Sequence, residues 1–273
     1  MIGKCWLLNF KFKEIWKLKQ RYFVELAYNG TRYHGWQVQP NAKSVQGDLE
    51  HALTTICREE IAVTGAGRTD TGVHASYYVA HFDSNKLTLD QPNFSYKLNS
   101  FLGKDVVVFK ITKVDSEAHA RFGAVSRTYN YFITQSRNPF TQETSWYNSR
   151  PLDVERMNEA CKVLFEFVDF TSFSKLHTDV KTNNCRIDEA RWEQDGHHLK
   201  FTIKADRFLR NMVRAIVGTT VAVGLGKLTI DEFRQIIESK DRGAAGVSAP
   251  AEGLFLTDIH YPEEMFVRSE PID

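Results

Sequence analysis

One guanidinium and one carboxylate, two positions apart, stand inside a glycine-rich stretch: Gly65-Ala66-Gly67-Arg68-Thr69-Asp70-Thr71-Gly72-Val73-His74-Ala75. Glycines let a backbone approach a ligand closely or take a positive φ. A carboxylate held beside a fixed cation stays ionised, the form in which it acts as a nucleophile. The same letters would also serve a turn between two strands carrying a surface ion pair. Other chemistries fit less well. No Gly-Lys-Ser/Thr follows the glycines, as a phosphate-binding loop requires. Glycoside hydrolysis usually needs a carboxylate pair, and this stretch offers one. His74 and His81 fall in strand-like context without clustered partners, so no metal site is expected.

Two further gatherings of charge could serve the same site. Lys204 to Arg214 carries four basic groups against the single acid Asp206. The spacing predicts a helix from about Phe208 to Val223, with Phe208, Leu209, Met212, Val213, Ile216 and Val217 as its buried stripe. Arg207, Arg210, Asn211 and Arg214 then share the opposite face at i, i+3, i+4 and i+7. Arginine suits planar, bidentate contact with phosphate or carboxylate, although a solvated polar face would read the same way. The second gathering is His119, Arg121, Arg127, Tyr129, Tyr131 and Arg137, within a run from Ala118 to Gln142 that has no carboxylate. Cations interleaved with aromatics fit phosphate contact and base stacking. The competing reading makes Tyr129 and Tyr131 half-buried core; one of them can be core while the other lines a cleft.

The elements that must position these residues follow from periodicity. Arg21–Tyr28 alternates as a strand, and Asn29-Gly30 signals a turn. The aromatic segment Tyr33–Pro40 reads as a packed loop, and Ser44 caps a helix with Val45, Leu49, Ala52, Leu53 and Ile56 on one stripe. Ile61–Thr64 is a strand feeding the glycine stretch, Val73–Asp83 another strand, Pro92–Leu102 a short helix and Val106–Val114 a strand. That β-α-β-β-α-β order recurs: strand Ser126–Thr134, helix Asp153–Phe165, a turn at Asp169–Phe173, strands Ile187–Glu193 and Leu199–Ala205 joined by an Asp195-Gly196 hairpin, the late helix with a second one starting near Thr229, and strand Leu254–His260. The expected fold is therefore α+β, with two tandem ferredoxin-like halves sharing an antiparallel sheet and a cleft between them. The halves are expected at 21–122 and 123–263, their boundary near residues 120–126, with an N-terminal extension at 1–20 and a tail at 264–273.

Composition narrows the partners. The 273 residues are 42% hydrophobic and 25% charged, as in an ordinary soluble globular protein. Cys5, Cys57, Cys161 and Cys185 are far apart and form no CxxC pair, which fits a reducing cytosol. No apolar stretch is long enough to span a bilayer. The net charge of +1 hides an asymmetry: residues 1–20 hold five Lys and one Glu, leaving 30 basic against 33 acidic side chains in the rest. A nucleic-acid binder with this balance needs local basic surface rather than overall charge. Residues 1–20 read as an added basic tail or a misassigned start, with contact to RNA phosphates as the functional alternative.

Several blocks in order resemble the TruA family of tRNA pseudouridine synthases, from about Arg21 to Pro262. Gly67-Arg68-Thr69-Asp70-x-Gly72-Val73-His74-Ala75 is similar to its central signature, with Thr71 where Ala is usual. Tyr28-Asn29-Gly30-Thr31-x-Tyr33-His34-Gly35-Trp36-Gln37 resembles its first block, with Asn29 where Asp is common, and Ser44-Val45-Gln46 its first helix. His119-Ala120-Arg121-Phe122, Arg127-x-Tyr129-x-Tyr131, Phe208-Leu209-x-x-Met212-Val213-Arg214-x-Ile216-Val217-Gly218 and Ala251-Glu252-Gly253-Leu254 to Tyr261-Pro262 match later blocks. The match is weakest over Leu98–Val107, where the family's Asn-x-x-Leu-Pro turn is not intact.

The resemblance implies conversion of uridine to pseudouridine at positions 38, 39 and 40 of the tRNA anticodon stem-loop by a homodimer that needs no cofactor, alongside the cytoplasmic setting without metal or membrane that the cysteines, histidines and hydropathy suggest. It implies Asp70 as the nucleophile, Arg214 pairing with Asp70 to hold it ionised and oriented, and Tyr129 stacking on the target base and helping remove the C5 proton. Arg68 would assist extrusion of the base or occupy the vacated space, and Leu254 would pack against the flipped ring. Arg210, His119 and Arg121 are further substrate-binding candidates from the basic gatherings. The rival reading is a non-catalytic RNA-binding protein built of tandem ferredoxin-like units, which leaves Arg68-Thr69-Asp70 without a purpose.

Overall fold

The computed structural model describes residues 19–175 and 182–266. Among them, nine strands form one open sheet flanked by five α-helices, an α+β architecture. The first part holds β1 (Gln20–Tyr28), α1 (Val45–Cys57), β2 (Val63–Gly65), β3 (His74–Ser84), α2 (Pro92–Phe101) and β4 (Val106–Lys113). The second holds β5 (Ser126–Thr134), β6 (Trp146–Tyr147), α3 (Val154–Leu164), β7 (Ile187–Asp195), β8 (His198–Ala205), α4 (Met212–Gly224), α5 (Ile230–Ser239) and β9 (Leu254–His260). Along the sheet the order is β4-β1-β3-β9-β5-β8-β7, with β2 added to β3 and β6 to β5.

Local sequence sets the element ends. Ser44 caps α1 by accepting the Gly47 N–H at 3.2 Å, and Asp153 caps α3 by accepting that of Arg156 at 3.0 Å. Thr229 and Glu232 cap α5 reciprocally. Asp195-Gly196 turns β7 into β8, with Gly196 at φ +55°. The late helix is shorter than its apolar spacing predicts. Asn211 is left-handed at φ 67°, so α4 begins at Met212. Phe208, Leu209 and Arg210 belong to a turn before it, and the helical face proposed for Arg207, Arg210, Asn211 and Arg214 does not exist as such. The turn interrupts the helix without interrupting the burial pattern: Leu209 is as deeply buried as Val213.

Two apolar clusters fill the molecule. Tyr22, Val24, Leu26 and Tyr28 of β1 pack with Val45, Leu49 and Leu53 of α1, while Phe201 and Ile203 of β8 pack with Met157, Ile216 and Phe233. Each such side chain, fully buried, contributes about 1.5–3 kcal/mol relative to exposure. The clusters meet where β3 pairs β9 through His74–Phe255 and Ala75–Leu256. That pairing is parallel, as is β5–β6, so the sheet is mixed rather than purely antiparallel.

The junction determines where the glycine stretch must lie. One edge of β3 pairs β1 along its length. Its other edge is divided: β2 takes Ala80–Phe82 and β9 takes His74–Ala75. Residues 66–73 leave the sheet at the end of β2 and re-enter at His74. Val73 belongs to the second apolar cluster and Ala75, two residues on, to the first. The loop thus belongs to the first part of the chain and reaches the second through Val73.

Candidate active site

A scaffold of aromatics and glycines fixes the 66–73 loop before any reactive group is considered. The Tyr78 hydroxyl donates to the Gly67 carbonyl, and Tyr78 stacks on Trp36 with ring centres 4.1 Å apart. Tyr28 and Thr69 share a hydroxyl hydrogen bond of 2.9 Å. The Trp36 N–H donates to the Thr69 carbonyl at 3.3 Å, and the Gly72 N–H to the Tyr33 carbonyl at 3.3 Å. Gly35, at φ +90°, lies so close that a Cβ there would fall 2.3 Å from the Thr69 oxygen. The Val73 N–H closes a turn onto the Asp70 carbonyl at 3.1 Å. The aromatic segment that reads in sequence as a packed loop is therefore the seat of the 66–73 loop.

Held this way, the Asp70 side chain is 30% exposed and accepts no hydrogen bond from the described residues. Two guanidinium groups face it: Arg214 Nη1 is 3.6 Å from one oxygen and Arg210 Nε 3.7 Å from the other. These are ion pairs longer than hydrogen bonds. Arg214, in the first turn of α4, is itself anchored, since its Nε donates to the Ala249 carbonyl at 2.7 Å and its carbonyl accepts the Ala249 N–H at 2.9 Å. Arg210 reaches the site from the preceding turn. That turn is steadied where Asn211 Nδ2 donates to Ser248 Oγ at 2.7 Å.

Tyr129, on β5, is half-buried and touches both apolar clusters, its ring set edge-on to Phe208 at 5.1 Å. Burial pushes its phenol up to about 12; the Arg127 cation opposes that rise and the nearby Asp70 carboxylate adds to it. Tyr131 is fully buried, its hydroxyl donating to the Pro250 carbonyl at 2.8 Å, so it is core. Leu254 opens β9, is buried, and lies opposite Tyr131. Because β9 pairs β3 from His74 onward, Leu254 stands beside Val73 at the end of the 66–73 loop.

The remaining candidates are more dispersed. Arg68 is exposed and makes no hydrogen bond or ion pair among the described residues; Thr71 is also exposed. Arg121 is exposed with its guanidinium over Phe122. His119 packs on His81 and Phe122, its Nδ1 accepting the Arg121 N–H at 3.1 Å, and makes no hydrogen bond or ion pair with Asp70, Arg210 or Arg214. Arg127, grouped in sequence with phosphate-contacting residues, uses its guanidinium on four backbone carbonyls instead. No cluster of three or more His, Cys, Asp or Glu side chains among the described residues is arranged to hold a metal ion. Nor is any described helix long and apolar enough to cross a membrane.

The arrangement is an accessible carboxylate opposed by two arginines, with the half-buried Tyr129 nearby. Comparison with known proteins specifies the class. A family model described as tRNA pseudouridine synthase matches residues 167–262. The chain is 56% identical over 247 residues to tRNA pseudouridine synthase A of Parabacteroides distasonis, covering 90% of this chain and 98% of that protein. It is 55% identical to the Bacteroides fragilis protein of the same name over 248 residues, with 90% and 98% covered. It is 41% identical to that of Acetivibrio thermocellus over 238 residues, with 86% and 97% covered. The chain belongs to the tRNA pseudouridine synthase A family.

Proposed function

We propose that this protein isomerises uridine to pseudouridine in the anticodon stem-loop of tRNA, at positions 38, 39 and 40, with Asp70 as its nucleophile. The observation that carries this reading is the Asp70 carboxylate itself: partly open to solvent, free of hydrogen bonds from the described residues, and faced by Arg210 and Arg214. A carboxylate left open to solvent and faced by two guanidinium groups is available to a substrate in its charged, nucleophilic form.

The reaction breaks the N1–C1′ bond, turns the uracil and forms C5–C1′. A proton leaves C5 and one is taken up at N1, so no atom is gained or lost overall. Asp70 supplies the electron pair that attacks the nucleotide, that bond breaks again before product leaves so that the free carboxylate returns, and Arg214, braced on Ala249, keeps it aimed. Tyr129 stacks on the base; with its phenol pushed up to about 12 it stays protonated at neutral pH, which favours stacking and hydrogen-bond donation over action as a phenolate base. Leu254 packs against the turned ring. Arg68, exposed at the loop tip, helps extract the base from its stack, a step that costs a few kcal/mol. Arg210, Arg121 and His119 contact the RNA around the site.

The fold supports reading the chain as two ferredoxin-like halves, 21–122 and 123–263, forming a cleft. Strand orders β4-β1-β3-β2 and β9-β5-β8-β7 are the same permutation of the same β-α-β-β-α-β unit. We also infer a homodimer acting in the cytoplasm. Residues 1–20, read as a basic extension, lie almost wholly outside the described residues, as do 267–273 of the tail. Incubating the protein with unmodified tRNA transcript and analysing the nucleosides tests the function: pseudouridine at 38–40 is expected. Binding without any pseudouridine would favour the non-catalytic RNA-binding alternative.

A further inference from the structure

Arg127 makes four hydrogen bonds that join three segments far apart in sequence. Its Nη1 donates to the carbonyls of Ala124 at 3.0 Å and Asp206 at 2.9 Å. Its Nη2 donates to those of Arg121 at 2.6 Å and Ala66 at 3.3 Å. Ala66 begins the reactive loop. Arg121 and Ala124 belong to the connection between β4 and β5. Asp206 begins the turn that delivers Arg210, and its carboxylate fixes that turn by accepting the Arg186 N–H at 2.8 Å and the Arg207 N–H at 2.7 Å. Every Nη donor direction is thereby used, and none points to a carboxylate.

From this arrangement we infer that Arg127 is a positioning residue: its guanidinium sets the reactive loop carrying Asp70 against the turn carrying Arg210, and so fixes the carboxylate relative to its cations. The inference rests on the reading of Asp70 as the nucleophile. Arg127 lies two residues before Tyr129 on β5, so the strand that presents the phenol also carries the tether. Only a planar fork can serve four carbonyls around one centre. Lysine, with one compact ammonium, reaches fewer of them. Burial lowers the pKa of Arg127 from its ordinary value, consistent with a guanidinium surrounded by backbone rather than water.

The test compares wild type, Arg127→Lys and Arg127→Ala by single-turnover pseudouridine formation, tRNA affinity, thermal midpoint and hydrogen exchange of the 66–72 amides. For Arg127→Lys the turnover rate is expected to fall about 10- to 100-fold, the range that follows when a reacting group shifts by up to 1 Å. Its tRNA affinity should stay near wild type, and exchange in 66–72 should quicken. Millimolar guanidinium should restore part of the Arg127→Ala rate in a saturable way, at temperatures where that variant is folded. If Arg127→Ala does not fold, Arg127→Lys carries the comparison. A wild-type rate in Arg127→Lys would overturn the inference. So would a loss confined to tRNA affinity, which would make Arg127 a phosphate contact, or lost stability without loop loosening or rescue. Wild type lacking activity would instead sink the functional reading, and loop exchange would then judge the tether alone.

Discussion

Removing the two cations that face Asp70 should have unequal consequences. Arg214 Nη1 stands 3.6 Å from the carboxylate with its side chain 21% exposed, whereas Arg210 Nε stands 3.7 Å away but is 56% exposed. At an effective dielectric near 20 the first pair is worth at most about 4.6 kcal/mol, and in water-like surroundings the second is worth about 1.1 kcal/mol. In the proposed reaction attack neutralises the carboxylate, so neither figure subtracts directly from the barrier; both measure how firmly Asp70 is held in place. Arg214→Met removes most of that hold together with the 2.7 Å brace on Ala249. Loss of placement on that scale should lower the single-turnover rate about 10²-fold. Arg210→Met leaves the firmer anchor and should cost less than about fivefold, with added salt narrowing its difference from wild type. Arg214→Lys keeps charge but not the fork, and should fall between wild type and Arg214→Met. Tritium release from C5-labelled tRNA, at saturating enzyme, measures all three. An Arg210→Met defect equal to or larger than that of Arg214→Met would refute the reasoning.

Other residues make independent tests. Gly35→Ala places a Cβ 2.3 Å from the Thr69 oxygen at φ +90°, a conformation costing an L-residue roughly 1–2 kcal/mol before the clash is relieved; the thermal midpoint and the turnover rate should fall together. His81 is buried, accepts the Ala120 N–H at 3.1 Å, and has its pKa lowered from 6.5 to about 4, first by burial and then by the Arg21 charge. The folded state therefore resists a proton that the unfolded chain accepts. Stability should be fully present above pH 6.5, fall as pH drops towards about 4 by roughly 3 kcal/mol, and level off below. Denaturant titrations across that range should show the slope, and His81→Gln should flatten it.

Where information lies close together along the chain, sequence was sufficient. Strands Ser126–Thr134 and Leu254–His260 have the bounds their alternation predicts, and Ser44, Asp153 and Thr229 cap helices as their side chains allow. Asp70 and Arg214 were readable as partners only because the chain resembles a known family; spacing alone left a surface turn equally open. The break at Asn211 was hidden because Phe208 and Leu209 continue the apolar rhythm through a turn that is not helical. The parallel β3–β9 contact joins residues some 180 positions apart, and no local pattern specifies it. The role of Arg127 is hidden in the sequence for a related reason. Its partners are backbone carbonyls, which every residue carries, so no letter in the sequence marks them.

The central claim is that one carboxylate does the covalent work, and Asp70→Asn tests it with almost no change of shape. Single-turnover assays on tRNA, paired with a binding measurement, should show no pseudouridine formation and tRNA affinity within a few fold of wild type. Pseudouridine formed by Asp70→Asn at the wild-type rate would contradict the account.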